Sequence, residues 1–152
     1  MSKVKIEAFK VIGISVRTTN ENNQSAVDIP NLWKKFMEEG FLEKILNKID
    51  NAIYCLYTEY EKDHTLPYTT ILGCKVTSTE NVPEGMVSKN IEGTTYEKFT
   101  VTGSLQDNIV YNEWLKIWNS ELSRQFSTDF EVYGPKAQNP ANAEVDILIA
   151  VK

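Results

Sequence analysis

Ile29-Pro30-Asn31-Leu32-Trp33-Lys34-Lys35-Phe36-Met37 and Val110-Tyr111-Asn112-Glu113-Trp114-Leu115-Lys116-Ile117-Trp118 decide the reading of this chain, because they follow one pattern. In the first stretch apolar residues fall at Ile29, Leu32, Trp33, Phe36 and Met37, the i, i+3, i+4, i+7, i+8 stripe of an amphipathic helix. Pro30 suits a first helical turn, and Asp28 can cap it. In the second, Ile109, Val110, Trp114, Ile117, Trp118 and Leu122 are apolar within a predicted helix from about Gln106 to Arg124. Laid over each other, Ile29-(x3)-Trp33-(x2)-Phe36 matches Val110-(x3)-Trp114-(x2)-Ile117.

The flanks repeat as well. Phe9–Arg17 (FKVIGISVR) precedes the first helix and Thr94–Thr102 (TTYEKFTVT) the second, both strand-like by β-branched and aromatic content. Gly40 breaks the first helix, and Phe41–Ile49 reads as a short second piece. Ile53–Tyr60 (IYCLYTEY) and Tyr68–Val76 (YTTILGCKV) form a predicted hairpin. Asp129–Tyr133 (DFEVY) and Val145–Val151 (VDILIAV) are their counterparts, with Leu56-Tyr57 matching Val132-Tyr133. Val82-Pro83-Glu84-Gly85 is a turn or linker between the halves. The chain thus reads β-α-β-β twice, an α+β fold of one domain spanning residues 1–152, with repeat units at about 3–80 and 90–152. Repeated units that cannot bury a face alone dock on each other. The seam of such a pseudo-symmetric pair is a favoured place for a pocket.

A chain of 152 residues with 41% apolar and 24% charged residues buries a core without staples. Its formal charge of −5 argues against direct nucleic-acid binding, which needs basic side chains on phosphates. Cys55 and Cys74 lack metal-site spacing and sit in apolar strands, so reduced, buried thiols are expected. No apolar run reaches the ~20 residues of a membrane span, and Met1-Ser2-Lys3-Val4 runs into a strand-like segment rather than a signal peptide. A cytoplasmic protein that engages no membrane is the expectation.

Few residues suggest catalysis. His64 lies in the polar turn Glu61-Lys62-Asp63-His64-Thr65 and reads as a solvated loop histidine. Glu38-Glu39 and Glu59, Glu61 and Asp63 read as surface acids, so neither a metal nor a cofactor is expected. The aromatics say more. Trp33, Trp114 and Trp118 lie on predicted helices and several tyrosines on strands, where they either fill the core or line a flat apolar pocket. Glu131 stands out within DFEVY. Strand alternation puts Glu131 and Tyr133 on one face, and Phe130 and Val132 on the other. A carboxylate on an inner face must be paired, hydrated or protonated, because burying a lone charge is costly. Facing an aromatic seam, Glu131 would receive a cationic ligand; facing solvent, it would be the polar side of a half-exposed strand.

Tyr57-Thr58-Glu59-Tyr60-Glu61-Lys62-Asp63 followed by Tyr68-Thr69 and Leu72-Gly73-Cys74-Lys75-Val76 resembles the first hairpin of GyrI-like, AraC-type effector-binding domains. Ile29-Pro30-x-Leu32-Trp33-x-x-Phe36 resembles the helix before it. Tyr96-x-x-Phe99-x-x-x-Gly103, Trp114-x-x-Ile117-Trp118 and Asp129-Phe130-Glu131-x-Tyr133 resemble the elements of the second half. The resemblance covers nearly the whole chain and is nearest to the stand-alone, integron-cassette type. It implies two β-α-β-β units forming a curved antiparallel sheet around a cleft. It also implies a role for Glu131, since related bacterial multidrug-sensing transcription regulators bury a glutamate there that engages cationic, lipophilic drugs. Tyr133, Tyr57, Trp33, Phe36, Trp114 and Trp118 are the accompanying pocket residues. At the position related to Glu131 by the repeat stands Cys55, so one half alone supplies a carboxylate. A DNA-binding helix-turn-helix is not expected, because the matching residues begin near residue 3. The expectation is a stand-alone, non-enzymatic binder of a hydrophobic, cationic small molecule, acting through a protein partner if it regulates transcription. Two rivals stay open: a hydrolase of reactive toxins with Glu131 as catalytic base, and a protein-interaction modulator of a DNA-acting enzyme.

Overall fold

The computed structural model describes residues 2–152. Among these residues eight strands and three α-helices follow in the order β1 (Ser2–Ile6), β2 (Phe9–Thr18), α1 (Ser25–Glu38), α2 (Phe41–Lys44), β3 (Ile53–Thr58), β4 (Tyr68–Val76), β5 (Val87–Ile91), β6 (Thr94–Gly103), α3 (Ile109–Trp118), β7 (Thr128–Tyr133) and β8 (Ala143–Ala150). All strands join one antiparallel sheet in the order β1-β6-β8-β7-β3-β4-β2-β5. The α+β class and the curved antiparallel sheet are those expected.

The two repeats meet at the centre, where β7 pairs with β3 and Glu131 lies directly opposite Cys55. Outward from that line the order is mirrored: β8 answers β4, β6 answers β2, and β1 answers β5. The outermost strands are exchanged. β1 leads into β2 yet pairs with β6, while β5 leads into β6 yet pairs with β2. β5 was not anticipated from the sequence; its residues, Val87-Ser88-Lys89-Asn90-Ile91, carry too little apolar alternation to stand out.

This exchange forces the sheet to curl. β1 and β2 lie six strand spacings apart in the sheet, about 29 Å if it were flat. Only Glu7 and Ala8 join them, and such a connection spans about 10 Å. The inner face of the curl holds Phe9, Val11, Leu56, Ile71, Ile91, Tyr96, Phe130 and Leu148. Phe9 and Phe130 are three strands apart, yet their rings touch across it at 5.3 Å. On the same face Gly13 and Gly73 stand directly opposite each other on β2 and β4. A Cβ on either would lie 2.7 Å from the other glycine's Cα.

The outer face carries the helices. α1 buries Leu32 and Phe36 against Ile12, Ile14, Leu72 and Cys74, while α3 buries Trp114 and Ile117 against Val101, Val145, Ile147 and Ile149. Both helices depart from the expected limits. α1 starts at Ser25, so Pro30 sits in its second turn and withholds the N–H that the Ala26 carbonyl would accept. Asp28 accordingly does not cap; it accepts hydrogen bonds from the Thr18 hydroxyl (2.9 Å) and Gln24 Nε2 (3.0 Å). α3 is shorter than Gln106–Arg124, because Asn108 adopts a left-handed φ of 56° before it and the chain leaves the helix after Trp118. Arg124 instead forms an isolated β-bridge with Val151.

Candidate functional site

Between α1 and α3, over the central strands β3 and β7, lies a cleft of about 1280 Å³. The repeat builds its walls crosswise. Trp33 of α1 packs edge-on against Tyr133 of β7 at 4.8 Å, and Trp114 of α3 packs edge-on against Tyr57 of β3 at 5.2 Å. Each half's tryptophan therefore meets the other half's tyrosine. Trp118, one turn beyond Trp114, extends the wall.

Glu131 lies at the floor, 2% exposed. Tyr57 donates its hydroxyl hydrogen to Oε2 at 2.8 Å, Trp114 Nε1 donates to the same oxygen at 2.6 Å, and Tyr133 donates to Oε1 at 2.7 Å. Among the described residues no basic side chain pairs with it. Burial pushes the Glu131 carboxyl above its ordinary range, and the donors Tyr133, Tyr57 and Trp114 pull against that shift. Burial likewise holds Tyr57 and Tyr133 well above the usual phenol range, so both stay protonated and donating.

The raised carboxyl has a testable sign. Unfolded, Glu131 titrates near 4.5; folded, it titrates higher. Between the two values the native state holds a proton the unfolded state lacks, so stability falls as pH rises through that window, and the cost is complete above the folded value. Glu131→Gln removes the dependence, and the amide can accept from Trp114 and Tyr57 while donating to Tyr133. In urea titrations the variant should match wild type below about pH 4 and gain on it toward about pH 7. A gap that does not change with pH would contradict the shift.

A second acid lies on the same face of β7. Asp129 is fully buried and ion-paired with Arg124 Nη2 at 2.7 Å; it also accepts from the Tyr60 hydroxyl at 2.6 Å and the Ala150 amide at 2.8 Å. Burial pushes its carboxyl up, while the guanidinium and the other donors oppose this and favour the ionised form. Arg124 packs over the Phe126 ring at 4.3 Å, and His64 stacks flat on Trp118 at 5.5 Å with planes 4° apart.

Of the residues expected at a pocket, Glu131, Tyr133, Tyr57, Trp33, Trp114 and Trp118 all line the cleft. Phe36 does not: it is fully buried under α1 beside Phe41, because its position on the helix stripe points at the sheet. The sequence reading missed Tyr60, Tyr68, Arg124 and His64, which also line it. His64 is no solvated turn residue; Trp118 and Arg124 hold it half-buried, and that burial, with the nearby guanidinium, lowers its pKa. Asp129 was detectable, since strand alternation puts it on the face of Glu131 and Tyr133. Cys55 and Cys74 are buried, free thiols. Burial raises the Cys55 pKa well above the usual range and that of Cys74 to about 11. Among the described residues no helix is long and apolar enough to cross a membrane.

The cleft can be set beside known proteins. YobU of Bacillus subtilis (strain 168), whose name assigns it provisionally to transcription regulation, is 28% identical over 152 residues, covering 97% of this chain and 94% of YobU. The integron cassette protein VCH_CASS2 of Vibrio cholerae is 33% identical and superposes with a TM-score of 0.76 over 99% of this chain and 95% of its own. SAV2435, solved bound to tetraphenylphosphonium, has the same fold at 14% identity, with a TM-score of 0.76 over 99% of this chain and 93% of that one. Residues 4–151 match the family described as Cass2, integron-associated effector binding protein. With nearly every residue inside that match, the chain belongs to the integron-associated effector binding protein family.

Proposed function

We propose that the cleft binds a hydrophobic, cationic small molecule, with Glu131 as counter-charge and Trp33, Tyr57, Trp114, Trp118 and Tyr133 as walls. One observation carries this reading: a carboxylate 2% exposed, fixed by three neutral donors and lacking a basic partner among the described residues, in an aromatic cleft. Such a group is costly unless a cation reaches it. The three donors hold both oxygens in place, so a ligand meets an ordered charge without reorganising the site. Each ring face presented to a cation adds about 0.5–2 kcal/mol. The shared fold of SAV2435, bound to tetraphenylphosphonium, supports the same ligand class. The regulator name of YobU, together with the EcmrR–DNA complex, supports a link from ligand binding to transcription. The chain covers 57% of EcmrR, with a TM-score of 0.61 at 13% identity. A protein partner would carry that link.

The test is calorimetric titration with tetraphenylphosphonium and with tetraphenylborate, matched in shape and opposite in charge. Wild type should bind the cation and reject the anion. Glu131→Gln should weaken the cation by about 1–3 kcal/mol, the range for loss of a charged partner in a desolvated site. Equal affinity of wild type and variant for the cation would remove Glu131 from the proposal.

A further inference from the structure

We propose that the Arg124 end of the cleft is a second subsite, which takes a neutral hydrogen-bond acceptor, a carbonyl or ether oxygen, on the same ligand whose cationic centre faces Glu131. This rests on the cation-binding reading of Glu131 and extends it to a ligand class: aryl cations that carry an acceptor group.

The Arg124 side chain is 5% exposed and lines the cleft. A guanidinium has five N–H donors, and buried donors require acceptors. Nη2 donates to Asp129 at 2.7 Å, whereas Nη1 reaches only His64 Nδ1, at 3.5 Å. Nε is buried with no acceptor among the described residues. Phe126 packs beneath the guanidinium and Trp118 beneath His64, so the guanidinium is withdrawn from water, where a hydrogen bond to a charged donor counts most.

Charge selects the kind of acceptor. Asp129 already neutralises Arg124, so a ligand carboxylate would be brought against a buried aspartate without gaining a free cation. An uncharged oxygen can satisfy the under-bonded Nη1 and Nε donors without that repulsion. Trp114 ties the subsites together: its Nε1 holds Glu131 at 2.6 Å, and its ring lies 5.8 Å from the guanidinium carbon. An aryl group over this indole can direct a cationic substituent toward one pole and an acceptor toward the other.

The probes are (4-acetylphenyl)triphenylphosphonium and (4-isopropylphenyl)triphenylphosphonium, alike in shape and charge and differing in the acceptor. Wild type should bind the ketone about tenfold more tightly, the scale of one hydrogen bond to a charged group. Arg124→Lys retains a cation for Asp129 but loses Nε–H and the fork, and should cut that ratio below about threefold. Glu131→Gln should weaken both probes and leave the ratio intact. In nitrogen-15 spectra of wild type, the Arg124 Nε–H resonance should move with the ketone and not with the isopropyl probe; this reading holds even if Arg124→Lys does not fold. A wild-type ratio near one and an unmoved resonance would overturn the subsite while leaving Glu131 in place. A preserved ratio with no effect of Glu131→Gln would support the subsite and overturn the cation site. Failure of wild type to bind either probe would overturn both.

Discussion

Asp129→Asn should lower the unfolding free energy by about 3–5 kcal/mol, the cost of stranding one partner of a buried ion pair. The replacement keeps the size of the side chain and removes its charge. Arg124 then stays buried against Phe126, with no other carboxylate bonded to it. The Ala150 amide bonds one carboxylate oxygen and the Tyr60 hydroxyl the other, and asparagine has a single acceptor oxygen, so one of the two sites is left facing an NH2 group. Urea denaturation checks this through a fall in midpoint with little change in slope. Replacing both partners with apolar residues, Arg124→Met with Asp129→Leu, should cost much less, because no charge is left alone. A loss below about 1 kcal/mol for Asp129→Asn would mean that water in the cleft reaches the guanidinium. The two acids of β7 thus respond oppositely to neutralisation. Glu131 lacks a protein cation and the folded protein gains stability near neutral pH when it becomes an amide, whereas Asp129 has a cation and the protein loses stability.

The other large effect is expected at the glycine pair. Gly13→Ala or Gly73→Ala should cost at least about 4–5 kcal/mol, at the extreme of single-substitution effects. The new Cβ of Gly13 would overlap the Leu72 carbonyl, and that of Gly73 the Ile12 carbonyl; each would also lie 2.7 Å from the opposite Cα. These are backbone atoms of two paired strands, each flanked on both sides in the sheet, so no side-chain rotation relieves the overlap. Gly85→Ala is the control. Gly85 has a φ of 82° with nothing within 4 Å of its Cβ position, so only the left-handed backbone penalises the change, by about 1–2 kcal/mol. Circular dichroism melts of the three variants check the order. If Gly13→Ala melts with or above Gly85→Ala, the strands are free to separate at that point.

The central elements were legible because their signals are local. Helical stripes at Ile29–Met37 and Val110–Trp118 and alternation in DFEVY depend on residues close in sequence; they set Trp33 and Trp114 on apolar stripes and Glu131 with Tyr133 on one strand face, and left open whether those faces met core, cleft or solvent. What stayed hidden depends on distant partners. β5 is polar and becomes a strand only by pairing with β2. Phe36 and Trp33 share one stripe, and only the position of the sheet decides which is core and which is cleft wall. The pair Arg124–Asp129 is five residues apart, yet it forms because the chain leaves α3 at Trp118 and turns back toward Val151. His64 reads as solvated until Trp118, from the other half, stacks on it. Gly13 and Gly73 each look ordinary, and only their register makes them indispensable.

The meeting of Cys55 and Glu131 across the central strands has a consequence for how such a site could arise. A homodimer of one repeat would have the same mirrored strand order, and its exact symmetry would place the residue on the axis, the position held by Cys55 and Glu131, against its own copy. Two glutamates there would repel each other at the distance of directly opposed strand residues, and one would be driven to hold a proton. Two cysteines would offer no charge at all. A single, unopposed carboxylate requires halves of unlike sequence, and joining them in one chain ensures that every cleft receives one of each, so that one defined charge stands at the centre of a symmetric cleft.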